Sequence, residues 1–217
     1  MSDSAPTRVR VWDVPTRIVH WSMVLLFAFS WWTAEKGELE WHRWSGYSLT
    51  ALVLFRLYWG FFGGSTARFA QFLRGPRAVM SYLRGVSTAV PGHNPVGAWS
   101  VVIMLALLAT QIVLGLFAVD VDGIESGPLS SLVSFDTGRV AADWHETIFN
   151  VLLAVIGMHI LAALFYLVVR KQNLIGAMFT GHRTLDGSQP ALVPASIVRL
   201  VVGILIAAAL TWFISRE

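Results

Sequence analysis

Five apolar stretches of membrane-spanning length constrain this chain more than any other feature. They cover residues 17–34, 44–62, 96–119, 144–169 and 194–214, and each approaches or exceeds the ~20 residues that a helix needs to cross a bilayer. Hydrophobic residues make up 55% of the 217 residues and charged residues only 13%, unlike a soluble globular domain. The sequence therefore predicts an all-α integral membrane protein with five spanning helices.

Charge alternates between the segments that connect these stretches. Basic residues dominate the N-terminal arm, the second loop and the fourth loop: Arg8, Arg10, Arg17, Arg68, Arg74, Arg77, Arg84, Arg170, Lys171 and Arg183. Because basic residues accumulate on the cytoplasmic side, we expect a multi-pass protein with a cytoplasmic N-terminus and an outer C-terminus. This topology accounts for the net charge of +3, so the arginines do not predict nucleic-acid binding. The first stretch lacks a small-residue cleavage site, and we expect it to remain in the mature protein.

Four histidines lie at matched depths in the predicted helices. His145 and His159 are fourteen residues apart on the fourth stretch, so both rings leave one helix face and stand ~21 Å apart along the axis. In the predicted topology, His42 precedes the second stretch at the level of His145, and His20 begins the first stretch at the level of His159. We expect an outer pair, His42 with His145, and an inner pair, His20 with His159.

Paired imidazoles inside a membrane favour haem iron over other metals. Histidines in spanning helices usually face the bundle interior and mark proton, ion or cofactor sites. Zinc takes four ligands, whereas a haem supplies four nitrogens itself and takes one or two axial ligands. The absence of cysteine excludes covalent haem attachment and thiolate-held iron–sulfur clusters. The pattern predicts two non-covalently bound haems; an interhelical hydrogen bond is the alternative role of any single histidine.

Other residues fit this picture without requiring it. Gly46 shares a helix face with His42 and leaves room for a porphyrin edge, although glycine also serves close helix packing. Arg56, inside the second stretch, has two interpretations: a haem propionate as partner, or snorkelling to lipid headgroups. The stretch from Thr66 to Arg84 predicts one or two short amphipathic helices on the cytoplasmic surface, broken at Gly75-Pro76. His93 and His182 fall in cytoplasmic loops and are not expected to be axial ligands.

Several motifs occur together in a characteristic order: Trp12-Asp13, Arg17, His20-Trp21, His42 with Gly46, Arg56-Leu57-Tyr58-Trp59-Gly60, Gly92-His93-Asn94-Pro95, and His145-Glu146 with His159. Over residues 8–183 the chain resembles the prokaryotic cytochrome b561 and nickel–iron hydrogenase b-type cytochrome family. The resemblance implies a four-helix bundle in residues 1–183 of a bacterial inner-membrane protein.

The same resemblance implies a set of cofactors and partners. It implies two haems b, with axial ligands at His20, His42, His145 and His159, and it places Arg17 among the cofactor-binding residues. It also implies electron exchange with quinone and an outer, periplasmic redox partner, such as a hydrogenase, a formate dehydrogenase or a c-type cytochrome. Residues 184–217, a linker and a fifth, C-terminal transmembrane helix, depart from the four-helix pattern. A homo-oligomer is left open.

Three functions are compatible with these residues. Two axial histidines leave no open position on the iron, so the first is a dihaem cytochrome that carries electrons between quinone and the outer partner. The second is a stand-alone superoxide:quinone oxidoreductase, with Arg43 as the attractor for the anion, opposed by nearby glutamates. The third is a transporter, but we see neither broken helices nor inverted repeats. Candidate quinone contacts are Arg17, Arg56, His93 and Asn94 at the inner end, and Asp143, Trp144 and Glu146 at the outer end.

Overall fold

A computed structural model describes residues 7–86, 92–185 and 192–216. The elements are, in chain order, β1 (Thr7–Arg10), α1 (Val14–Glu35), α2 (Leu39–Phe62), α3 (Phe69–Phe72), α4 (Pro76–Leu83), α5 (Pro95–Phe117), a 3-10 turn (Ser130–Leu132), α6 (Phe135–Val168), α7 (Leu174–Thr180), β2 (His182–Leu185) and α8 (Ile197–Ile214). The fold is mostly helical, as predicted. Part of the predicted linker, residues 186–191, lies outside the described residues.

Within the described residues, three helices are long and apolar enough to cross a membrane: α5, α6 and α8. They coincide with the third, fourth and fifth predicted spans, and the chain is a membrane protein. Helices α1 and α2 contain the first two predicted spans and have 22 and 24 residues. Trp, Tyr, His and Arg lower the mean hydropathy of these two helices, so their crossing of the membrane stays a prediction.

Helices α2 and α6 begin five and nine residues before their apolar stretches. Helix α6 starts at Phe135 rather than near residue 144, because its first turns carry polar side chains, among them Asp136 and Arg139. Helix α2 starts at Leu39, so His42 lies in its first turn rather than just before it. An apolar run therefore reports the hydrophobic part of a helix, not its full length.

The chain divides into two compact units, and most long helices contribute residues to both. The first unit comprises residues 1–19, 56–102 and 158–201. It contains an antiparallel pair of strands, β1 with β2, in which Arg10 is opposite His182 and Thr7 is opposite Leu185. The sequence analysis did not predict these strands, because each has only four residues.

A small hydrophobic core packs against this pair of strands and stabilises it. Its buried members are Val9, Val11, Trp12, Ala177 and Leu185. The backbone N–H groups of Val11 and Trp12 both donate to the carbonyl of Gly181, which ends α7 in the left-handed conformation that glycine tolerates best. The short helices α3 and α4 also lie in this unit, and they agree with the predicted one or two short helices broken at Gly75-Pro76. Their position on the cytoplasmic surface stays a prediction.

The second unit comprises residues 20–55, 103–157 and 202–217. The loop that follows α5 folds back on the helix, since Gly127 N–H donates to Ala118 O and Leu129 N–H donates to Leu116 O. A Cβ added to Gly127 would lie 2.3 Å from Gly115 O, so this close approach requires glycine. The loop thereby stays against α5, near His145.

Candidate functional site

The second unit brings His42 of α2 and His145 of α6 together. Their ring centroids are 6.1 Å apart and their planes are nearly perpendicular, at 84°. A metal–imidazole nitrogen bond is about 2.0 Å long, so this separation suits two imidazoles that share one metal atom between them. The closeness of these two rings agrees with the outer pair predicted from helical rise and loop charge.

Backbone carbonyls fix the orientation of both rings. His42 Nδ1 lies 2.9 Å from Ser30 O, and His145 Nδ1 lies 2.9 Å from Gln111 O. A carbonyl only accepts, so in each neutral ring Nδ1 carries the proton and Nε2 keeps its lone pair. This is the arrangement that usually supports metal-ligating histidines, in which the second nitrogen donates to a carbonyl or carboxylate.

Glycines shape the space around this pair. A Cβ added to Gly115 would lie 2.8 Å from His145 Cε1, so the ring packs directly on the α5 backbone. By contrast, a Cβ at Gly46 would meet nothing within 4 Å. The helix that carries His42 therefore has open space beside Gly46, and the use of this space by a porphyrin edge stays a prediction.

No group of three or more His, Cys, Asp or Glu side chains suited to a metal ion occurs within residues 7–86, 92–185 and 192–216. The two-imidazole site thus lacks the ligand number of a zinc centre. A macrocycle that brings its own four nitrogens fits this donor set, together with the open space at Gly46. The residues present fit a haem.

His20 belongs to the second unit and His159 to the first. His20 lies in the second turn of α1 and packs edge-on against Trp21, with ring centroids 5.0 Å apart. His159 lies in α6, where its side chain is exposed. The predicted inner pair continues to rest on the sequence argument.

Arg56 is buried in the first unit, with 5% of its surface exposed. Its guanidinium lies over the Phe69 ring at 5.2 Å and within 3.5 Å of Ala67 O. Snorkelling to lipid headgroups, one of the two interpretations of this residue, does not match this burial. The guanidinium instead contacts the loop that follows α2, at Ala67 O.

A buried carboxylate, not singled out by the sequence analysis, lies in the same unit. Asp13 is 4% exposed; its Oδ1 accepts from Thr16 N–H and its Oδ2 accepts from Trp59 Nε1–H, both at 2.9 Å. A Cβ on Gly64 would lie 2.7 Å from Oδ2, so the loop after α2 also presses on this carboxylate. The motifs Trp12-Asp13 and Trp59-Gly60 are both visible in the sequence, but their spacing does not predict that Asp13 and Trp59 contact each other.

Arg17 and His93 also lie in this unit. Arg17 Nη1 donates to Phe179 O, and its buried Nε has no partner among the residues described. His93 packs between Trp12 and Phe72, with ring centroids 4.6 Å from each. Burial, with smaller contributions from Arg56 and His159, lowers the pKa of His93 to about 3. His93 is therefore neutral at physiological pH.

Asn94 takes part in a hydrogen-bonded group that the sequence did not reveal. Its Oδ1 accepts from Gly97 N–H at 2.7 Å, and its Nδ2 donates to the Tyr166 hydroxyl at 2.9 Å. The Tyr166 hydroxyl also bonds the Tyr82 hydroxyl. These contacts join α4, the start of α5 and the end of α6.

The remaining candidates lie in the second unit. Arg43 forms an ion pair with Glu125 at 3.5 Å, with both side chains nearly half exposed. Asp143 pairs with Arg139 at 3.3 Å on α6. Trp144 and Glu146 flank His145 on the same helix and have exposed side chains.

Comparison with known proteins gives one match. The family model of prokaryotic cytochrome b561 matches residues 11–181, which is most of the chain and includes all four candidate histidines. No curated protein and no solved structure matches it.

Proposed function

Because this chain belongs to the prokaryotic cytochrome b561 family, it is a b-type cytochrome of membrane electron transfer, and we propose that it holds two haems and links quinone to a periplasmic redox protein. The observation that carries the proposal is the perpendicular pair of rings, His42 and His145, 6.1 Å apart with their Nδ1 atoms engaged by carbonyls. We assign the outer haem to this pair.

The inner haem is assigned to His20 and His159. Helical rise supports the assignment, since the spacing of fourteen residues from His145 to His159 corresponds to ~21 Å, most of the ~30 Å hydrocarbon thickness. Arg17 and Arg56 are cationic groups near the inner end of α1 and α2, and we propose that they face this haem's acidic edge. Two sites at these depths would extend across the bilayer.

The protein's contribution is binding, orientation and exclusion of water. When bound, haem b exchanges single electrons. His42 and His145 would hold the outer haem through their Nε2 atoms, and the carbonyls of Ser30 and Gln111 make these two imidazoles more basic ligands. Apolar helices keep the site dry. This is the chemistry of an electron carrier rather than of a reaction centre that binds its substrate at the iron.

The charge of the connecting loops supports one orientation of the protein in the membrane. The basic loops favour an N-terminus in the cytoplasm and a periplasmic position for the His42–His145 end, and the family supports the bacterial inner membrane. Quinone exchanges with the pool in the lipid, and the outer redox partner docks at the periplasmic end. Arg43 is paired with Glu125, which weakens it as a superoxide attractor, so we favour the partner-linked function over a stand-alone superoxide:quinone oxidoreductase.

Reduction by two donors tests this proposal. Purified protein in nanodiscs, without any partner, is mixed with a soluble quinol or with a superoxide source, and haem reduction is followed by absorbance. We expect rapid reduction by quinol, and superoxide reduction that is slow and unchanged in Arg43→Gln. Fast superoxide reduction that falls in Arg43→Gln would favour the stand-alone enzyme, and no reduction by quinol would contradict the quinone link.

A further inference from the structure

Three exposed apolar side chains lie in the loop that joins α5 to α6 and at the first residue of α6. Val121 and Ile124 flank the turn at Gly123, and 74% and 80% of their surfaces are exposed. A Cβ on Gly123 would lie 3.6 Å from Phe135 Cε2, so the turn contacts the Phe135 ring, which is itself half-exposed. We call Val121, Ile124 and Phe135 the loop patch. An exposed apolar patch with a polar rim is typical of a surface that binds another molecule.

The loop holds this patch in a fixed position in the second unit. Arg139 Nη1 donates to Val119 O at 2.7 Å, which ties the start of the loop to α6. Further along, Gly127 packs on the carbonyl of Gly115, and Gly115 also contacts the His145 ring. The loop therefore rests on the same α5 residue as a proposed ligand of the outer haem. A structured loop of this kind loses little conformational entropy when it binds a partner.

Acidic residues dominate the charge around the loop patch. Arg43 and Arg139, the arginines that contact this loop, are each engaged in an ion pair with a carboxylate, at 3.5 and 3.3 Å. Asp122 and Asp136, adjacent in sequence to Val121 and Phe135, are exposed and take part in no ion pair within the described part of the chain. An apolar centre with a negative rim is complementary to an apolar surface with a positive rim.

We propose that the loop patch docks a soluble electron-carrier protein whose redox edge is apolar and surrounded by lysine or arginine side chains. This rests on the proposed function, which supplies the outer haem and a periplasmic partner. Opposite charges speed the encounter and orient the carrier, and the apolar contact stabilises the complex. One electron then passes from the reduced outer haem to the oxidised carrier, and no bond forms or breaks. The negative rim disfavours an anionic lipid surface as the occupant.

A single fluorescent label tests docking without any redox step. The chain has no cysteine, so Leu132→Cys places one thiol-reactive dye at an exposed position of the same loop, and Arg77→Cys places it on α4 as a control. Haem-loaded protein in nanodiscs is titrated with an oxidised c-type cytochrome of basic pI, whose haem quenches the dye. We expect saturable quenching at position 132 that weakens as salt rises, and none at position 77.

Several results of this titration would overturn the inference. They are no quenching at position 132, equal quenching at both positions, and unchanged affinity for the same cytochrome after acetylation of its lysines. Quenching at position 132 by a lipid-attached nitroxide, before any cytochrome is added, would assign the loop to the lipid surface and would also overturn it.

Variants of the patch identify the residues that bind the carrier. We expect the double variant Asp122→Lys/Asp136→Lys to bind the cytochrome about tenfold more weakly at low salt, because it reverses the rim charge. Ile124→Ser should weaken binding about fivefold at every salt concentration, because it removes apolar contact. The control is Glu38→Lys, an exposed position in the turn between α1 and α2, which should bind nearly as the wild type does.

Unchanged affinity in the patch variants, or an equal loss in Glu38→Lys, would overturn the inference. The same samples, reduced with quinol, then report electron transfer by the absorbance of the cytochrome. Saturable docking at the loop patch without any reduction of the cytochrome would leave the docking surface standing and would contradict the proposed function instead.

Discussion

At the scale of single residues, Gly115 gives the sharpest prediction for the outer site. An alanine there would place its Cβ 2.8 Å from His145 Cε1, so the ring must move and its bond to Gln111 O must stretch. Because groups that orient a metal ligand commonly account for 10–100-fold in metal affinity, we expect Gly115→Ala to weaken haem binding at this site by about 10-fold or more. Haem titration of the apoprotein measures the loss.

The matched control is Gly75→Ala, at an exposed glycine with ordinary φ whose added Cβ would meet nothing within 4 Å. It should bind haem as the wild type does. Equal haem affinity in Gly115→Ala and Gly75→Ala would contradict the role given to His145.

Sequence predicted the histidines but not the atoms that orient them. The spacing of His145 and His159 is a property of any helix, so it could be read without coordinates. The carbonyls of Ser30 and Gln111 have no sequence signature, because every residue has one. For the same reason the burial of Arg56 and the bond between Asp13 and Trp59 emerged only from the packing of distant segments.

At the scale of elements, a hydroxyl contact between Tyr82 and Tyr166 ties α4 to α6. Tyr82→Phe removes the bond to Tyr166, and a typical hydrogen bond contributes about 1 kcal/mol net. We expect α4 to detach about fivefold more often and trypsin to cleave after Arg84, at the end of α4, correspondingly faster. The rate of appearance of the fragments measures this.

Tyr58→Phe is the control, since Tyr58 contacts Phe62 through its ring, with centroids 4.8 Å apart. It should be cleaved at the wild-type rate. If Tyr82→Phe were also cleaved at that rate, the hydroxyl contact would not hold α4 in place.

Elements were predictable in proportion to their hydrophobic length. Helices α5, α6 and α8 follow directly from apolar runs, and the Gly75-Pro76 break separates α3 from α4 as expected. The strands β1 and β2 could not be predicted from apolar runs, because Thr7–Arg10 and His182–Leu185 are short, polar on one side and far apart in sequence. A two-stranded pair of this kind depends on the core beneath it, here Val11 and Trp12.

At the scale of the whole molecule, the proposed function requires two haems held at two depths. The central claim is that each haem needs both members of one histidine pair. The most direct measurement is haem per chain, by absorbance of the extracted haem against protein concentration, in the wild type and in four alanine variants: His20→Ala, His42→Ala, His145→Ala and His159→Ala.

We predict two haems per chain in the wild type and about one in each variant. His42→Ala and His145→Ala should lose the same haem, recognised by its midpoint potential, whereas His20→Ala and His159→Ala should lose the other. A wild-type protein with one haem, or a variant that keeps both, would contradict the account.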